Sequence, residues 1–353
     1  MSCRTSIVLL LLLATGLQAQ DIHFSQYDEN PLLINPALAG ALYPLRASVS
    51  YKNQWRSVTT PYKTMGISFD SHIGRSKRAR AGKVGFSHRI KTPILAAGIG
   101  LYRDVSGDGR LNALNLNLSL ACKVPTGKRS FLSLGVQGAY IQKSFDQNNF
   151  VFPNQFNGMV YDPTMGHNEQ IISQQYRYGD AAAGILWYYG QDEKLFVTHR
   201  EFRVIIGASV YNVPERAPDF LQGSLLGTER RYVTHTRVIY GLKNARLIVS
   251  PSLLAQMQLN HLEIISGCML HYTTGNSTRY TGYMKRSSLG FGLYYRHLDA
   301  VVISSLIEVQ ELYAIGINYD MNISGLRGVS RMFGGLELNL RFSPTRGFLY
   351  QGR

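Results

Sequence analysis

The chain has 353 residues, a net charge of +15 and a charged fraction of only 17%. Soluble domains carry about a quarter charged residues, so this low charge, with 34 glycines and 22 tyrosines, is typical of turn-rich β structure and especially of a membrane barrel. The basic residues form no block interleaved with aromatic side chains, which argues against nucleic acid as a partner.

The N-terminus has the three parts of a secretion signal. Arg4 supplies a positive charge, residues 7–14 are an apolar stretch, and Ala19 is a small residue at the cleavage point. We therefore predict a signal peptide over residues 1–19. No later apolar run is close to the length of about eighteen residues that a transmembrane helix needs. If the protein lies in a membrane, it therefore has to cross that membrane with strands.

The segment after the signal, residues 20–44, is predicted to be a turn-rich plug. It contains two Asn-Pro pairs, and proline fixes φ, donates no hydrogen bond and moves the preceding residue out of the helical region. We expect this segment to be buried inside or beneath a barrel, with Asn30 and Asn35 bonding their own turns. The inner-wall glycines expected to leave room for it are Gly135, Gly292 and Gly316.

Residues 45–342 are predicted to form an all-β, transmembrane antiparallel β-barrel. Each strand of such barrels shows about ten residues of alternation, with apolar side chains outward and polar or small ones inward. Leu336 and Leu338, for example, alternate with Glu337 and Asn339, and an inward charge suits a wet or plugged lumen. The predicted strands, about fourteen and even in number as bacterial barrels require, are 45–53, 63–73, 95–104, 111–123, 130–143, 180–189, 203–211, 232–241, 246–256, 262–272, 288–297, 300–307, 311–320 and 332–342.

A tail over residues 343–353 follows the last strand, and the strands are joined by uneven connections. Barrels have short periplasmic turns and long outer loops, but the long connection 74–94 follows an even-numbered strand and does not fit this rule. The aromatic residues of the outer loops are candidates for partner contact, with a self-packed surface loop as the alternative. The candidates are Phe150, Phe152, Phe156 and Phe220, and the basic residues Arg75, Lys77 and Arg78 are candidates for contact with lipid headgroups or an acidic partner.

The sequence shows no pattern for catalysis, a cofactor or a metal. Asp104, Asp108 and Gly109 are spaced like the opening of a calcium loop, but the acid that should close it is replaced by Asn115. A Gly/Asp turn between two strands explains them more simply. The nine histidines show no H-x-x-x-H spacing, and there is no G-x-S-x-G elbow or P-loop. We therefore predict a protein that is not an enzyme and has no cofactor.

Two motifs near the predicted cleavage site are specific. The first reads D-x-x-F-S-Q-Y, then N-P, then N-P-A and a glycine, and the second reads N-Q-W. Their residues are Asp21, Phe24, Ser25, Gln26, Tyr27, Asn30, Pro31, Asn35, Pro36, Ala37 and Gly40, followed by Asn53, Gln54 and Trp55. In these residues the chain resembles the PorP/SprF outer-membrane proteins of the type IX secretion and gliding apparatus of Bacteroidetes.

The resemblance implies a non-enzymatic barrel that supports the export or surface anchoring of cargo with a type B C-terminal domain. It also implies periplasmic partners, namely the lipoprotein rings and peptidoglycan-binding proteins of the motor, beside the outer-membrane lipid. A competing interpretation is a channel for a hydrophobic or small solute, like the fourteen-stranded fatty-acid transporters, whose plug also has an Asn-Pro-Ala element. An outer-membrane hydrolase is a third interpretation, disfavoured because no recognisable site is present.

Overall fold

The computed structural model describes most of the chain between residues 22 and 344. The predicted signal peptide 1–19 and most of the predicted tail 343–353 lie outside the described residues. So do residues 277–286, for which the sequence predicts either a further strand or the extension of one, and the candidates Arg75, Lys77, Arg78, Asp108, Phe150, Phe152 and Phe220. The described ranges are 22–55, 60–73, 93–107, 109–146, 153–156, 158–160, 162, 165–166, 175–194, 199–214, 229–242, 246–259, 261–274, 287–310, 312–324 and 333–344.

Fourteen antiparallel strands close into a barrel in which each strand pairs with its sequence neighbours and β1 pairs with β14. This confirms the predicted all-β antiparallel barrel and its strand number. The strands are β1 Leu45–Gln54, β2 Tyr62–Ile73, β3 Ile94–Ser106, β4 Leu111–Pro125, β5 Ser130–Ser144, β6 Gln175–Lys194, β7 His199–Tyr211, β8 Arg231–Gly241, β9 Leu247–Gln258, β10 His261–Thr274, β11 Ser287–Arg296, β12 Ala300–Val309, β13 Tyr313–Asn322 and β14 Phe333–Phe342.

The predicted alternation is present along the strands. On β4, Leu116, Leu118 and Leu120 point outward and are 37–58% exposed, whereas Asn117 and Ser119 between them are buried at 1%. Comparable rows of exposed apolar side chains occur on most of the other strands, so the outer wall is an apolar belt. A soluble monomer rarely exposes so large an apolar surface, and lipid is the environment that satisfies it.

One strand is much longer than its alternation predicts. The sequence indicates residues 180–189, but β6 spans Gln175–Lys194. Its added residues pair with the end of β5, where Gln175 lies opposite Ser144, and with the start of β7, where Lys194 lies opposite His199. Backbone pairing with the two neighbouring strands therefore continues after the side-chain pattern has faded.

The two ends of the barrel are distinct. We call the end where β1 begins at Leu45 and β14 ends at Phe342 the terminal rim, and the opposite end the distal rim. The connection between β2 and β3, which includes residues 74–92, joins strand ends at the terminal rim. Connections that follow odd-numbered strands, including the longest one between β5 and β6, lie at the distal rim.

The segment before β1 lies in the lumen as a plug. Its secondary structure is three short 3-10 helices, Tyr27–Glu29, Pro31–Leu33 and Pro36–Leu38, two of which begin with the proline of an Asn-Pro pair. Proline is favourable at a first helical position, because the N–H it lacks has no partner there. Among the described residues, no helix is long and apolar enough to cross a membrane.

Candidate functional site: the plugged lumen

The plug crosses the lumen from one rim to the other. Its start lies near the distal rim, where the Nζ of Lys52, two residues from the end of β1, lies 3.0 Å from the Oγ of Ser25. Its end lies near the terminal rim, where a ring nitrogen of His72, one residue from the end of β2, lies 2.8 Å from the carbonyl oxygen of Gly40. The described barrel is therefore filled by its own N-terminal segment along its length.

The start of the plug is held by a buried ionic network, which we call the polar anchor: Ser25, Lys52, Arg296, Asp320 and Glu337. One carboxylate oxygen of Asp320 accepts a hydrogen bond from the Ser25 hydroxyl at 2.6 Å and lies 3.1 Å from an Arg296 nitrogen and 3.4 Å from the Lys52 ammonium. Glu337, with an exposure of 0%, accepts the Ser25 backbone N–H at 2.7 Å. Two cations and two carboxylates balance one another out of contact with water, which is the condition under which buried charges are tolerated.

Further along the plug, two of its acidic side chains pair with arginines of the wall. A carboxylate oxygen of Glu29 lies 2.7 Å from a guanidinium nitrogen of Arg341 on β14. Asp28 lies 3.3 Å from Arg237 on β8, on the other side of the lumen. These pairs give the plug a fixed rotation about its own path, because each acid faces a cation on a different strand.

The middle of the plug fits into what we call the glycine slot, formed by Gly135, Gly184 and Gly207 on β5, β6 and β7. A Cβ at Gly135 would lie 2.6 Å from the Cα of Ala37, and one at Gly207 would lie 2.8 Å from the amide nitrogen of Asn35. Gly135 and Gly184 are direct cross-strand partners. The absence of a side chain lets the plug backbone approach the wall at Gly135, and it makes room for the Asn35 side chain at Gly184 and Gly207.

The prediction for the inner-wall glycines is therefore right for Gly135 and wrong for Gly292 and Gly316. The space above Gly292 is taken by Tyr294 of its own strand, and the nearest atom to a Cβ at Gly316 belongs to Asn339 of the next strand. Neither glycine contacts the plug among its nearest neighbours. An inward glycine of this wall makes room either for the plug or for a neighbouring side chain of the wall. The sequence alone does not distinguish these two cases.

The two plug asparagines behave differently. Asn35 bonds its own turn as predicted, since its side-chain oxygen accepts the Ala37 N–H at 2.9 Å, and its amide also donates to the backbone of Ile185 at 2.9 Å. Asn30 does not cap its turn. Its side chain makes no cap hydrogen bond, and its amide donates to the hydroxyl of Ser50 on β1 at 2.9 Å.

Apolar side chains of the plug complete the core of the barrel. Phe24 and Leu33 pack with Tyr102, whereas Leu32 and Ala39 pack with Ala121. Further clusters join Ala37, Leu38 and Ala41 to Phe131, Leu186 and Ile205, and join Tyr27 and Ile34 to the β6–β13 wall. Tyr27 and Ile34 of the plug each line two cavities that lie beside it.

The second sequence motif does not lie with the plug. Asn53, Gln54 and Trp55 end β1 at the distal rim, where the Trp55 ring meets that of Tyr62 with 4.7 Å between centroids. Phe156, in the connection between β5 and β6, is 56% exposed. The Asn53-Gln54-Trp55 motif and the loop residue Phe156 thus lie at the same rim. The first motif, within residues 24–40, lies in the lumen below this rim.

The ions of the polar anchor are the residues of the plugged lumen that sequence reasoning missed. Lys52, Arg296 and Asp320 occupy inward positions of their strands, and a charge at such a position is the signal that could have indicated them. No group of acidic, histidine or cysteine side chains able to hold a metal occurs among the described residues. Asp104 from the calcium-loop pattern bonds instead to Thr64 on β2.

Comparison with solved structures gives loose likenesses only. The hydrocarbon channel TodX, as a ΔS2S3 mutant, is 8% identical over 89% of this chain and 94% of its own, with a TM-score of 0.43. The hydrocarbon channel CymD is 8% identical over 94% and 96%, with a TM-score of 0.41. BamA from Haemophilus ducreyi, lacking POTRA domains 1–3, is 8% identical over 86% and 70%, with a TM-score of 0.39. No functional conclusion follows from TM-scores below 0.5, and no curated protein matches the chain in sequence.

The family comparison is decisive. A model described as type IX secretion system membrane protein PorP/SprF matches residues 16–342, which is almost the whole chain. The match includes both N-terminal motifs and all fourteen strands. With its apolar belt, the barrel is a multi-pass protein of the Gram-negative outer membrane and a component of type IX secretion. The chain belongs to the PorP/SprF family of type IX secretion system membrane proteins.

Proposed function

We propose that this barrel is a non-enzymatic component of the type IX secretion and gliding machinery that supports the export or surface anchoring of cargo with a type B C-terminal domain. The observation that supports this best is the plug. Inward side chains of the wall, such as Glu337, Ser133 and Gln137, form hydrogen bonds with the protein's own N-terminal segment instead of lining an open pore. The surfaces left for partners are the two rims.

The rims suit two classes of partner. The distal rim carries the Asn53-Gln54-Trp55 motif and the exposed Phe156, and we propose that it contacts cargo. The terminal rim faces the periplasm in this proposal, where lipoprotein rings and peptidoglycan-binding proteins of the motor would meet it. The basic residues Arg75, Lys77 and Arg78 belong to a connection at this rim and are proposed to meet lipid headgroups or an acidic partner.

A second candidate is a channel for a hydrophobic or small solute like the fatty-acid transporters, and the two small cavities beside the plug are the space that such a solute would have to widen. Both cavities are bounded by Tyr27 and Ile34, so a solute could pass only if these plug side chains moved. Reconstitution in planar bilayers separates the candidates. Selective, saturable solute flux with normal cargo display would support the channel, and absence of flux with lost display would support the secretion role.

The direct experiment is deletion of the gene followed by complementation. We expect deletion to abolish surface display of one or a few type B cargo proteins, measured by protease accessibility on whole cells. Complementation with Trp55→Ala tests the distal rim, with Leu118→Ala on the outer belt as the control. Normal display of every such cargo in the deletion strain would refute the proposal.

A further inference from the structure

Left-handed backbone conformations are concentrated at the distal rim. Among the described residues, six that are not glycine have φ between 46° and 57°, and five of these six lie at the distal rim. In this conformation the Cβ crowds the neighbouring backbone, so few residues other than glycine, asparagine and aspartate adopt it. The five distal residues are Trp55, Arg110, Asn212, Leu259 and Leu298, and three of them are large and apolar.

The two leucines occupy the tips of neighbouring hairpins. β9 and β10 are joined by a two-residue loop whose first residue is Leu259, a position at which such loops favour asparagine or glycine. In the β11–β12 turn, the carbonyl oxygen of Arg296 accepts the N–H of Asp299 at 3.1 Å, and Leu298 is the third residue of this turn. A positive φ at the third turn position again favours glycine or asparagine. Each leucine therefore stands where a smaller residue would be less strained.

Both leucines are also exposed, and the other rim shows that this is not a property of the turns themselves. Leu298 is 72% exposed and Leu259 is 44% exposed. In the β12–β13 turn at the terminal rim, the residue with positive φ is the polar Gln310, and the leucine of that turn, Leu312, is only 9% exposed. Backbone strain combined with an exposed apolar side chain disfavours the free protein twice, and strain of this kind is typical of functional sites.

The apolar tips continue around the rim to the Asn53-Gln54-Trp55 motif. The N–H of Ile323, which is 39% exposed at the start of the β13–β14 connection, donates to the carbonyl of Asp299 at 2.8 Å. On the far side of that connection, the N–H of Trp55 donates to the carbonyl of Gly334 at 2.6 Å. Four successive connections around the barrel thus carry a large apolar residue. We call these residues the tip arc: Leu259, Leu298, Ile323 and Trp55.

The surroundings of the tips favour a protein over lipid as the occupant. Tyr295 points outward with 40% exposure, as residues of an aromatic girdle at the membrane interface do, and Leu298 lies three residues beyond it. Leu298 stands between His297, which is exposed, and Asp299, whose side chain is 40% exposed. A tip inserted in lipid would have to take these polar neighbours with it, at a high cost in desolvation. Apolar anchors within a polar surround are typical of protein interfaces.

We propose that the tip arc is a docking surface for the cargo protein, with Leu259 and Leu298 as its apolar anchors. The choice of cargo as the occupant rests on the proposed function, in which the distal rim and Trp55 meet cargo. The strain at the two leucines is independent of that function. An apolar surface of the cargo covers both side chains on binding, and the binding energy then offsets the strain that the free barrel retains.

The test is the double variant Leu259→Asn/Leu298→Asn, which removes both apolar anchors and relieves both strained positions. The probe is the purified type B cargo whose surface display the deletion strain loses, and its binding to the purified barrel in detergent is measured. We expect affinity to fall about tenfold for each leucine, as for the loss of a buried leucine side chain. The urea midpoint of the variant should equal or exceed that of the wild type, because asparagine tolerates positive φ.

Two matched variants separate apolar contact from backbone strain. Gln310→Asn relieves the same strain at the terminal rim and should leave cargo affinity unchanged. Leu259→Met/Leu298→Met keeps apolar side chains at the tips and should bind cargo like the wild type. Equal loss of affinity in Gln310→Asn, or a lower urea midpoint in the double asparagine variant, would show that these leucines act within the barrel and would overturn the docking surface.

Failure of the docking surface and failure of the proposed function are distinguishable. Normal display of every type B cargo in the deletion strain would refute both. Lost display in the deletion strain, together with wild-type affinity and display in the folded double asparagine variant, would overturn the tip arc alone. In that case, loss of a barrel dimer or of bound lipid from the variant in native mass spectrometry would identify a second copy or lipid as the occupant instead.

Discussion

The polar anchor and the glycine slot hold the same plug by opposite means. In the anchor, Ser25 is held by buried charges on β1, β13 and β14, whereas in the slot the backbone at Pro36 and Ala37 touches a wall without side chains. Buried ions cost much desolvation energy and repay it only when every partner is present. Close packing depends instead on shape. We therefore expect the plug to be destabilised at its start by the loss of a charged side chain from the anchor. In its middle, we expect it to be destabilised by the addition of a side chain in the slot.

Removal of an anchor carboxylate should have the largest effect. Asp320→Ala leaves Lys52 and Arg296 buried beside each other without their shared counter-ion. We expect the free energy of unfolding to fall by about 3–5 kcal/mol, as for other broken buried pairs. The measurement is the urea midpoint of the refolded barrel, followed by its heat-modifiable migration on gels.

The control for the anchor is Asp299→Ala. Asp299 also pairs with Arg296, but its side chain is 40% exposed in the β11–β12 turn. Water can replace such a partner, and exposed pairs contribute about 0–1 kcal/mol. A loss as large for Asp299→Ala as for Asp320→Ala would show that burial is not what makes the anchor sensitive.

Addition of one methyl group in the slot should have the next largest effect. In Gly135→Ala the new Cβ would lie 2.6 Å from the Ala37 Cα, so plug or wall has to shift. Overpacking of this kind costs about 1–3 kcal/mol, and we expect the plug to loosen before the barrel unfolds. Ala39, 1% exposed, reports on this when replaced by cysteine in a chain with Cys122 and Cys268 changed to serine. Its maleimide labelling should become faster.

Gly138→Ala is the matched control for the slot. Gly138 lies on the same strand three residues later, and a Cβ there would have no atom within 4 Å. Labelling at position 39 should stay at the wild-type rate. Equal acceleration by both substitutions would mean that strand propensity, and not contact with the plug, explains the result.

The sequence predicts the barrel well because strand alternation is local. Leu116 to Leu120 show their outward face within five residues, and no knowledge of distant partners is needed. Inward charges such as Glu337 likewise indicate a lumen that is either wet or plugged. The partners in the anchor could not be predicted, because Ser25 and Asp320 are 295 residues apart and meet only after the barrel closes. The path of the plug decides which inward glycines it touches, and no local pattern records that path.

Replacement of the two plug asparagines should also lower the free energy of unfolding by different amounts, but the difference should be smaller. Asn35→Ala removes the bond to the Ala37 N–H and leaves the Ile185 and Ala208 carbonyls without their side-chain donor. We expect a loss of about 1–3 kcal/mol in unfolding free energy. Asn30→Ala removes one hydroxyl contact with Ser50 and should cost about 1 kcal/mol. Equal urea midpoints for the two variants would contradict the distinction between Asn35, which lies at the glycine slot, and Asn30, which lies outside it.

Gly316→Ala should have the smallest effect and completes the comparison. Gly316 points into the lumen like the slot glycines, but the nearest atom to its Cβ would be the Asn339 Cβ at 3.4 Å, an ordinary contact. Because the plug is not among these neighbours, we expect the unfolding free energy to stay within about 0.5 kcal/mol of wild type and labelling at position 39 to be unchanged. Faster labelling in Gly316→Ala would show that the plug responds to any narrowing of the lumen. The slot would then extend around the whole wall, and would not be confined to β5, β6 and β7.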